Sequence, residues 1–269
     1  MYSLHLTCRP DEVEQISTEL WEHHTAGIRE LEQHDSVTLI AGFETNQPRE
    51  FLLRRFAAFA PQWLHEDETD WVQATRDAWP ARAVGERFFL APPWSEETLP
   101  DGRVRLIHNP GLACGTGEHP CTQMALEAIE RIVKPGDRVA DIGAGSGILA
   151  IGAALLNAGQ VVAVDKDEAS LHAASENHRL NHLAPNLAAG SASALRSNWA
   201  DLTVANISGS VLLHIWDELL RVTHRTGHII VTGFTRAESP VFETLLPGCR
   251  TDVLNEWCCV SAPKPIENS

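Results

Sequence analysis

Between Asp141 and Asp165 the chain carries glycines at alternate positions, Gly143, Gly145 and Gly147, and no charged side chain. Glycines so spaced let a backbone turn sharply and pass close beneath a ligand, because they adopt dihedral angles closed to other residues. A carboxylate about twenty residues beyond such a turn sits where it can accept hydrogen bonds from both hydroxyls of a ribose. Two ligand chemistries compete for this pattern. A nicotinamide dinucleotide turn would place its third glycine where Ile148 stands. It would also have an apolar residue in place of Asp141, since the helix N-terminus there faces a pyrophosphate. S-adenosylmethionine has no phosphate and carries an ammonium and a sulfonium, both favoured by a carboxylate. The pattern therefore favours S-adenosylmethionine, with Asp141, Gly143, Gly145, Gly147 and Asp165 as its contacts.

Two other segments could do chemistry. "NPGLACGTGEHPCTQMALEAI" is a glycine- and proline-marked loop running into an amphipathic helix. Thr122, near the helix start, is read either as a helix cap or as a hydrogen-bonding contact of a loop that covers the ligand, and the contact is preferred. His119 is open to three readings: general base, metal ligand or packing group. No paired carboxylate or cysteine spacing accompanies it, so packing is favoured and no metal is expected. In "DLTVANISGS" an apolar run closes on Asn206. Beyond capping the next helix, its side-chain carbonyl could accept hydrogen bonds from an incoming amine and aim the nitrogen lone pair. That makes Asn206 the candidate catalytic residue as well as a cofactor contact.

The elements that must position these groups follow from hydrophobic pattern. The apolar stretch from Val139 to Asp167 is about as long as a membrane helix, but five glycines argue against one. It divides instead into strand "RVADI", glycine turn, helix "ILAIGAALLNAG" and strand "QVVAVD". "NLAAGS", "DLTVANI" and "GHIIVTGF" continue the alternation, and "CRTDVLNEWCCVSAPK" reads as two edge strands. This predicts a parallel sheet covered by helices on both faces, with ligands at the carboxyl ends of the strands. "RFFLAPPW" and "RVRLIHN" read as two lead-in strands. The first 65 residues read strand, helix, strand, strand, helix: "PDEVEQISTELWEHHTAG" is a helix from Pro10 stopped by Gly27, and "PREFLLRRFAAFA" is the second. They predict a small α+β domain at 1–65, a linker helix at 66–80 ("DWVQATRDAW") and the α/β domain at 81–269.

Charge limits the partners. Of a formal net charge of −15, residues 1–100 hold 18 acidic against 8 basic side chains. Such a surface repels phosphate backbones and attracts basic partners, so direct nucleic-acid binding is not expected. The six cysteines form neither a CxxC pair nor a disulfide frame. They read as free thiols of a cytoplasmic protein, and no signal peptide or membrane span is evident.

The segments "NPGLACGTGEHPCTQMALE", "VADIGAGSGILAIGA", "VVAVDKDEASLHAASEN", "TVANIS" and "NEWCCV" together resemble the bacterial methyltransferase family that trimethylates ribosomal protein L11. The resemblance runs from about Asp70 to Val260. It implies a doubly wound, seven-stranded Rossmann-like methyltransferase domain preceded by a ferredoxin-like substrate-recognition domain. It implies S-adenosylmethionine bound at Thr122, Gly143, Asp165 and Asn206, and a basic ribosomal protein methylated on amino groups by a monomer. The chain departs from the family pattern at Cys114, Glu118 and Cys121, where Phe, Thr and Thr are usual, and at Thr75 and Arg76, where Trp and Lys are usual. These positions surround the expected substrate entrance. Relatives that methylate lysines of an electron-transfer flavoprotein share the catalytic domain, so another protein or a small molecule is an alternative substrate. A cofactor-binding module without turnover is the non-enzymatic alternative.

Overall fold

Strand β1 (Tyr2–Cys8) turns Leu4, Leu6 and Cys8 to one side, the two-residue period of a strand. A computed structural model describes residues 2–23, 25, 27–33, 36–43, 49–65, 79–109 and 117–265. It divides the chain into two units, Met1–Ala78 and Trp79–Ser269.

In the first unit β1 pairs antiparallel with β3 (Ser36–Phe43) from Tyr2↔Phe43 to Cys8↔Val37. With β2 (Gly27–Gln33) and β4 (Gln62–His65) the sheet order is β2-β3-β1-β4. Helices α1 (Val13–Glu22) and α2 (Glu50–Arg55) contribute Ile16, Leu20 and Leu52 to the core with Leu39 and Phe43. Two expectations need correction. Gly27 does not stop α1, which ends at Glu22, but opens β2. Gln62–His65, beyond the second helix where the order strand, helix, strand, strand, helix ends, is an edge strand whose Trp63 ring lies 5.3 Å from that of Phe43. Most of the expected linker helix at 66–80, Thr75 and Arg76 included, falls outside the described residues.

The second unit begins with β5 (Arg82–Val84), β6 (Phe88–Ala91) and β7 (Val104–Ile107), a three-stranded sheet in that order. Sequence pattern gave only the last two of these strands. The main sheet contains β8 (Arg138–Ile142), β9 (Gln160–Asp165), β10 (Leu187–Ala189), β11 (Ala200–Asn206), β12 (Thr223–Thr235), β13 (Arg250–Leu254) and β14 (Trp257–Pro263). Its order is β10-β9-β8-β11-β12-β14-β13, and only β14 runs against its neighbours. The apolar stretch from Val139 is thus β8, a turn, α4 (Ile148–Leu155) and β9. No helix among the described residues is long and apolar enough to cross a membrane.

Consecutive strand residues point to opposite faces, and each face has its own core. Val139, Leu202 and Ile230 pack with α3 (Pro120–Ile132) and α4 through Met124, Leu126 and Ile151. Ala140, Ala205, Ile229 and Val231 pack with α7 (Trp216–Val222) and α8 (Ser239–Leu245) through Trp216, Leu219 and Phe242. Both faces are therefore dry, which is why these strands read as continuous apolar runs. The helical stretch that follows Asn206 in "VLLHIWDELLRV" is two helices, α6 (Gly209–His214) and α7, separated at Ile215. α5 (Glu168–Leu180) links β9 to β10. The chain leaves β8 on one side for β9 and returns past it to β11 on the other, so the order reverses between β8 and β11. A crevice opens at such a reversal, outside the carboxyl ends of the strands.

Candidate functional site

Three segments meet the reversal: the turn after β8, the end of β9 and the end of β11. The turn is possible only with its glycines. Gly143, Gly145 and Gly147 all have positive φ, at 72°, 52° and 77°. A Cβ on Gly143 would lie 2.4 Å from Ile207 Cγ2, and one on Gly147 would meet Ala174 and His178. The N–H groups of Gly143 and Ala144 both donate to Val164 O, at 2.8 and 3.1 Å, which ties the turn to β9.

Asp141 has a different position from the one expected. It does not present its carboxylate openly at the strand end; the residue is 1% exposed. Its Oδ2 accepts from the N–H of Ala150, at 3.0 Å, in the first turn of α4. Gly147 precedes that helix and has no side chain with which to cap it, so Asp141 supplies an acceptor for a first-turn N–H that the helix cannot satisfy itself. Asp141 Oδ1 has no hydrogen-bond partner. Burial pushes the carboxyl up to about 7, with the Ala150 hydrogen bond opposing and the charge of Asp165 adding.

Asp165, by contrast, is only half-buried. Its Oδ2 accepts from Gly145 N–H at 2.8 Å and its Oδ1 from Asp167 N–H at 3.0 Å. Two backbone donors thus fix the carboxylate beside the turn, and each oxygen keeps a lone pair for a further donor. It does not cap α5. Asp167 does, accepting from the N–H groups of Ala169 and Ser170.

At the end of β11, Asn206 Nδ2 donates to Thr122 Oγ1 at 3.1 Å. Neither residue caps a helix: the cap position of α6 is Ser208, and α3 is capped by His119, whose Nδ1 accepts from Cys121 N–H at 3.2 Å. Thr122, 1% exposed, instead holds the amide of Asn206, leaving Asn206 Oδ1 as an acceptor at the strand tip. The His119 ring stands edge-on to Trp257, with centroids 4.5 Å apart. It is a cap and a packing group.

Sequence reasoning missed the polar groups that brace these parts. Asn177 is fully buried; its Oδ1 accepts from Asn109 N–H at 3.0 Å and its Nδ2 donates to Ser146 O at 3.0 Å, inside the glycine turn. One turn on, Asn181 accepts from Ile107 N–H and donates to Ile107 O. The signal was present in "SENHRLN": two amides four apart, on the face that buries Ala173 and Ala174. Of the departures from the family pattern, Glu118 pairs with Arg82. Cys121 is buried and desolvation raises its thiol, which makes it a core residue. Cys114 lies outside the described residues. Cys8, Cys121, Cys249, Cys258 and Cys259 are free thiols.

A seven-stranded sheet with one antiparallel strand, a glycine turn at the order reversal and a carboxylate ending the next strand define a Rossmann-like methyltransferase domain. The particular family follows from sequence. A family model described as ribosomal protein L11 methyltransferase (PrmA) matches residues 11–265, and the chain belongs to that family. It is 36% identical over 190 residues to the ribosomal protein L11 methyltransferase of Desulfitobacterium hafniense, covering 68% of this chain and 59% of that one. It is 33% identical over 211 residues to that of Symbiobacterium thermophilum, covering 76% and 68%. The matched stretch thus spans less than two thirds of the first relative's length. The crystal structure of a ribosomal protein L11 methylase from Lactobacillus delbrueckii subsp. bulgaricus superposes with a TM-score of 0.62 at 30% identity, over 70% of this chain and 100% of that one.

Proposed function

We propose that this chain is an S-adenosylmethionine-dependent methyltransferase that acts on amino groups, lysine side chains above all, of ribosomal protein L11. Family membership supports the reaction class and the substrate. The observation that carries the chemistry is the Asn206–Thr122 hydrogen bond, which commits the amide nitrogen and presents the carbonyl oxygen.

The residues fit this cofactor better than a dinucleotide. Asp141 already accepts a first-turn N–H of α4, a donor that a pyrophosphate at the helix N-terminus would need. Asp165 keeps acceptor capacity for the two hydroxyls of a ribose. Gly143 lets the turn pack tightly on Ile207, just beyond Asn206, where any side chain would collide. When bound, the cofactor supplies a methyl group on a sulfonium, which passes in line to an attacking amine.

What the chain contributes is position and electrostatics. A lysine amine has an ordinary pKa of about 10.4, so roughly one in a few thousand is neutral at pH 7. Asn206 Oδ1 accepts an N–H of the neutral amine and turns its lone pair toward the methyl. The proton leaves to water before attack. Residues 1–65, with their acidic surplus, recognise the basic protein substrate.

The test is incubation of the purified chain with methyl-labelled cofactor and recombinant ribosomal protein L11, followed by peptide mass spectrometry. Label on L11 amino groups is expected. Label confined to other proteins of a lysate refutes the substrate, and bound cofactor with no transfer to any protein refutes the enzyme.

A further inference from the structure

His108 follows β7 directly and is 2% exposed, yet neither Nδ1 nor Nε2 has a hydrogen-bond partner. Leaving a buried polar atom unpaired is costly, and His108 has two. Burial lowers the pKa of its ring to about 4, so the imidazole is neutral, with one nitrogen a donor and the other an acceptor. It lines a cavity of about 20 Å³ with Trp79, Arg82, Leu90, Pro92 and Glu118. A volume of about 10–15 Å³ is enough for one water-sized group. The cavity therefore takes a single heavy atom, which meets one of the two ring nitrogens, because their N–H and lone-pair directions diverge.

Three residues of this cavity, His108, Glu118 and Leu90, are linked through their neighbours to the methyl-transfer site. The residue after His108, Asn109, is held by Asn177, which also holds Ser146 of the glycine turn. Glu118 adjoins the His119 cap, and its carbonyl accepts from Gln123 Nε2 at 2.7 Å, next to Thr122. A Cβ on Gly117 would touch both Leu90, in the cavity wall, and Ile148, the first residue of α4. The Arg82–Glu118 pair is internally compensated, so nothing there offsets the burial of a cation.

We propose that His108 and its cavity form a subsite for one uncharged hydroxyl or neutral amine of the protein substrate, making His108 a specificity-determining residue. This rests on the methyltransferase reading and names a contact of the substrate within it. His108→Leu removes both unpaired nitrogens at similar size. It is expected to raise the melting temperature, to leave the Kd for S-adenosylhomocysteine within twofold, and to raise KM for ribosomal protein L11 at least tenfold. His108→Gln restores a donor and an acceptor and should bring KM back to within threefold of wild type. An unchanged KM in His108→Leu overturns the proposal and reduces the cavity to a water site. Should His108→Leu not fold, ¹⁵N-histidine NMR of the wild-type chain decides: adding L11 to the S-adenosylhomocysteine complex must shift the His108 ring nitrogens, and no shift overturns the proposal. Loss of homocysteine-cofactor binding in the wild type would instead refute the methyltransferase reading itself.

Discussion

The tips of β8 and of β9 and β11 carry similar polar residues and use them in opposite ways. Asp141 on β8 is sealed, with one oxygen on the backbone of α4 and the other unpaired. Asp165 on β9 and Asn206 on β11 are half-exposed, each held by the protein through part of its hydrogen-bonding capacity. The first residue builds the turn, while the other two are left with acceptors to offer. A carboxylate at a strand end is thus not by itself a ligand contact. What decides is whether the helix after the turn brings its own N–H groups within reach.

The largest consequence of that division concerns Asn206. Asn206→Ala should lower kcat by about 10²–10³-fold, the usual effect of losing one oriented polar group at a reacting centre, while cofactor Kd changes by no more than about threefold. Equal losses in steady-state kinetics and calorimetry would place Asn206 with Asp165 instead. Next, Asp165→Ala removes the ribose acceptors and frees Gly145 N–H. Cofactor affinity should fall by about 10–100-fold, the result of losing charge-assisted hydrogen bonds worth about 1.5–3 kcal/mol. Unchanged affinity in a calorimetric titration would remove Asp165 from the site.

Asp141→Asn sharpens the contrast through pH. The folded carboxyl titrates at about 7, well above its ordinary 3.8, so between those values the folded state keeps a proton that the unfolded chain has released. Wild-type stability therefore falls as pH rises from about 4 and levels off above about 7. Asparagine does not titrate. Chemical denaturation should show Asp141→Asn gaining on the order of 4 kcal/mol over wild type at pH 8 and nearly nothing at pH 4. A gap independent of pH would mean that Asp141 is ionised in the fold. The smallest effect is expected for Asn177→Leu, which is close in size but loses the donor to Ser146 O along with the acceptor for Asn109 N–H. It should weaken cofactor binding by about fivefold, on the order of 1 kcal/mol for the one hydrogen bond to the turn. Asn181→Ala, whose side chain bonds Ile107 and the carbonyl of Asn177 but no part of the glycine turn, should leave cofactor binding as it is, and equal effects would make both amides mere pins of β7.

Much of this arrangement was legible in the sequence because strands covered on both faces announce themselves as apolar runs. "RVADI", "QVVAVD" and "DLTVANI" end at or beside the residues that matter, so Asp165 and Asn206 could be placed at strand tips from pattern alone. The direction of Asp141 could not. It depends on Ala150, nine residues away, arriving overhead once α4 has formed. The short strands β4 and β5 escaped because three or four residues carry no periodicity of their own, and pairing with β1 and β6 is what fixes them. Asn177 and His108 were hidden for a related reason. A polar side chain in a helix or after a strand reads as solvated until packing shows that it is buried.

The central claim is that this crevice is built for a positively charged sulfur donor. Isothermal titration of the wild-type chain with S-adenosylmethionine and, separately, with a nicotinamide dinucleotide tests it most directly. One-site binding of the sulfonium compound and no heat from the dinucleotide is the predicted result; tight uptake of the dinucleotide with none of the sulfonium compound would contradict it.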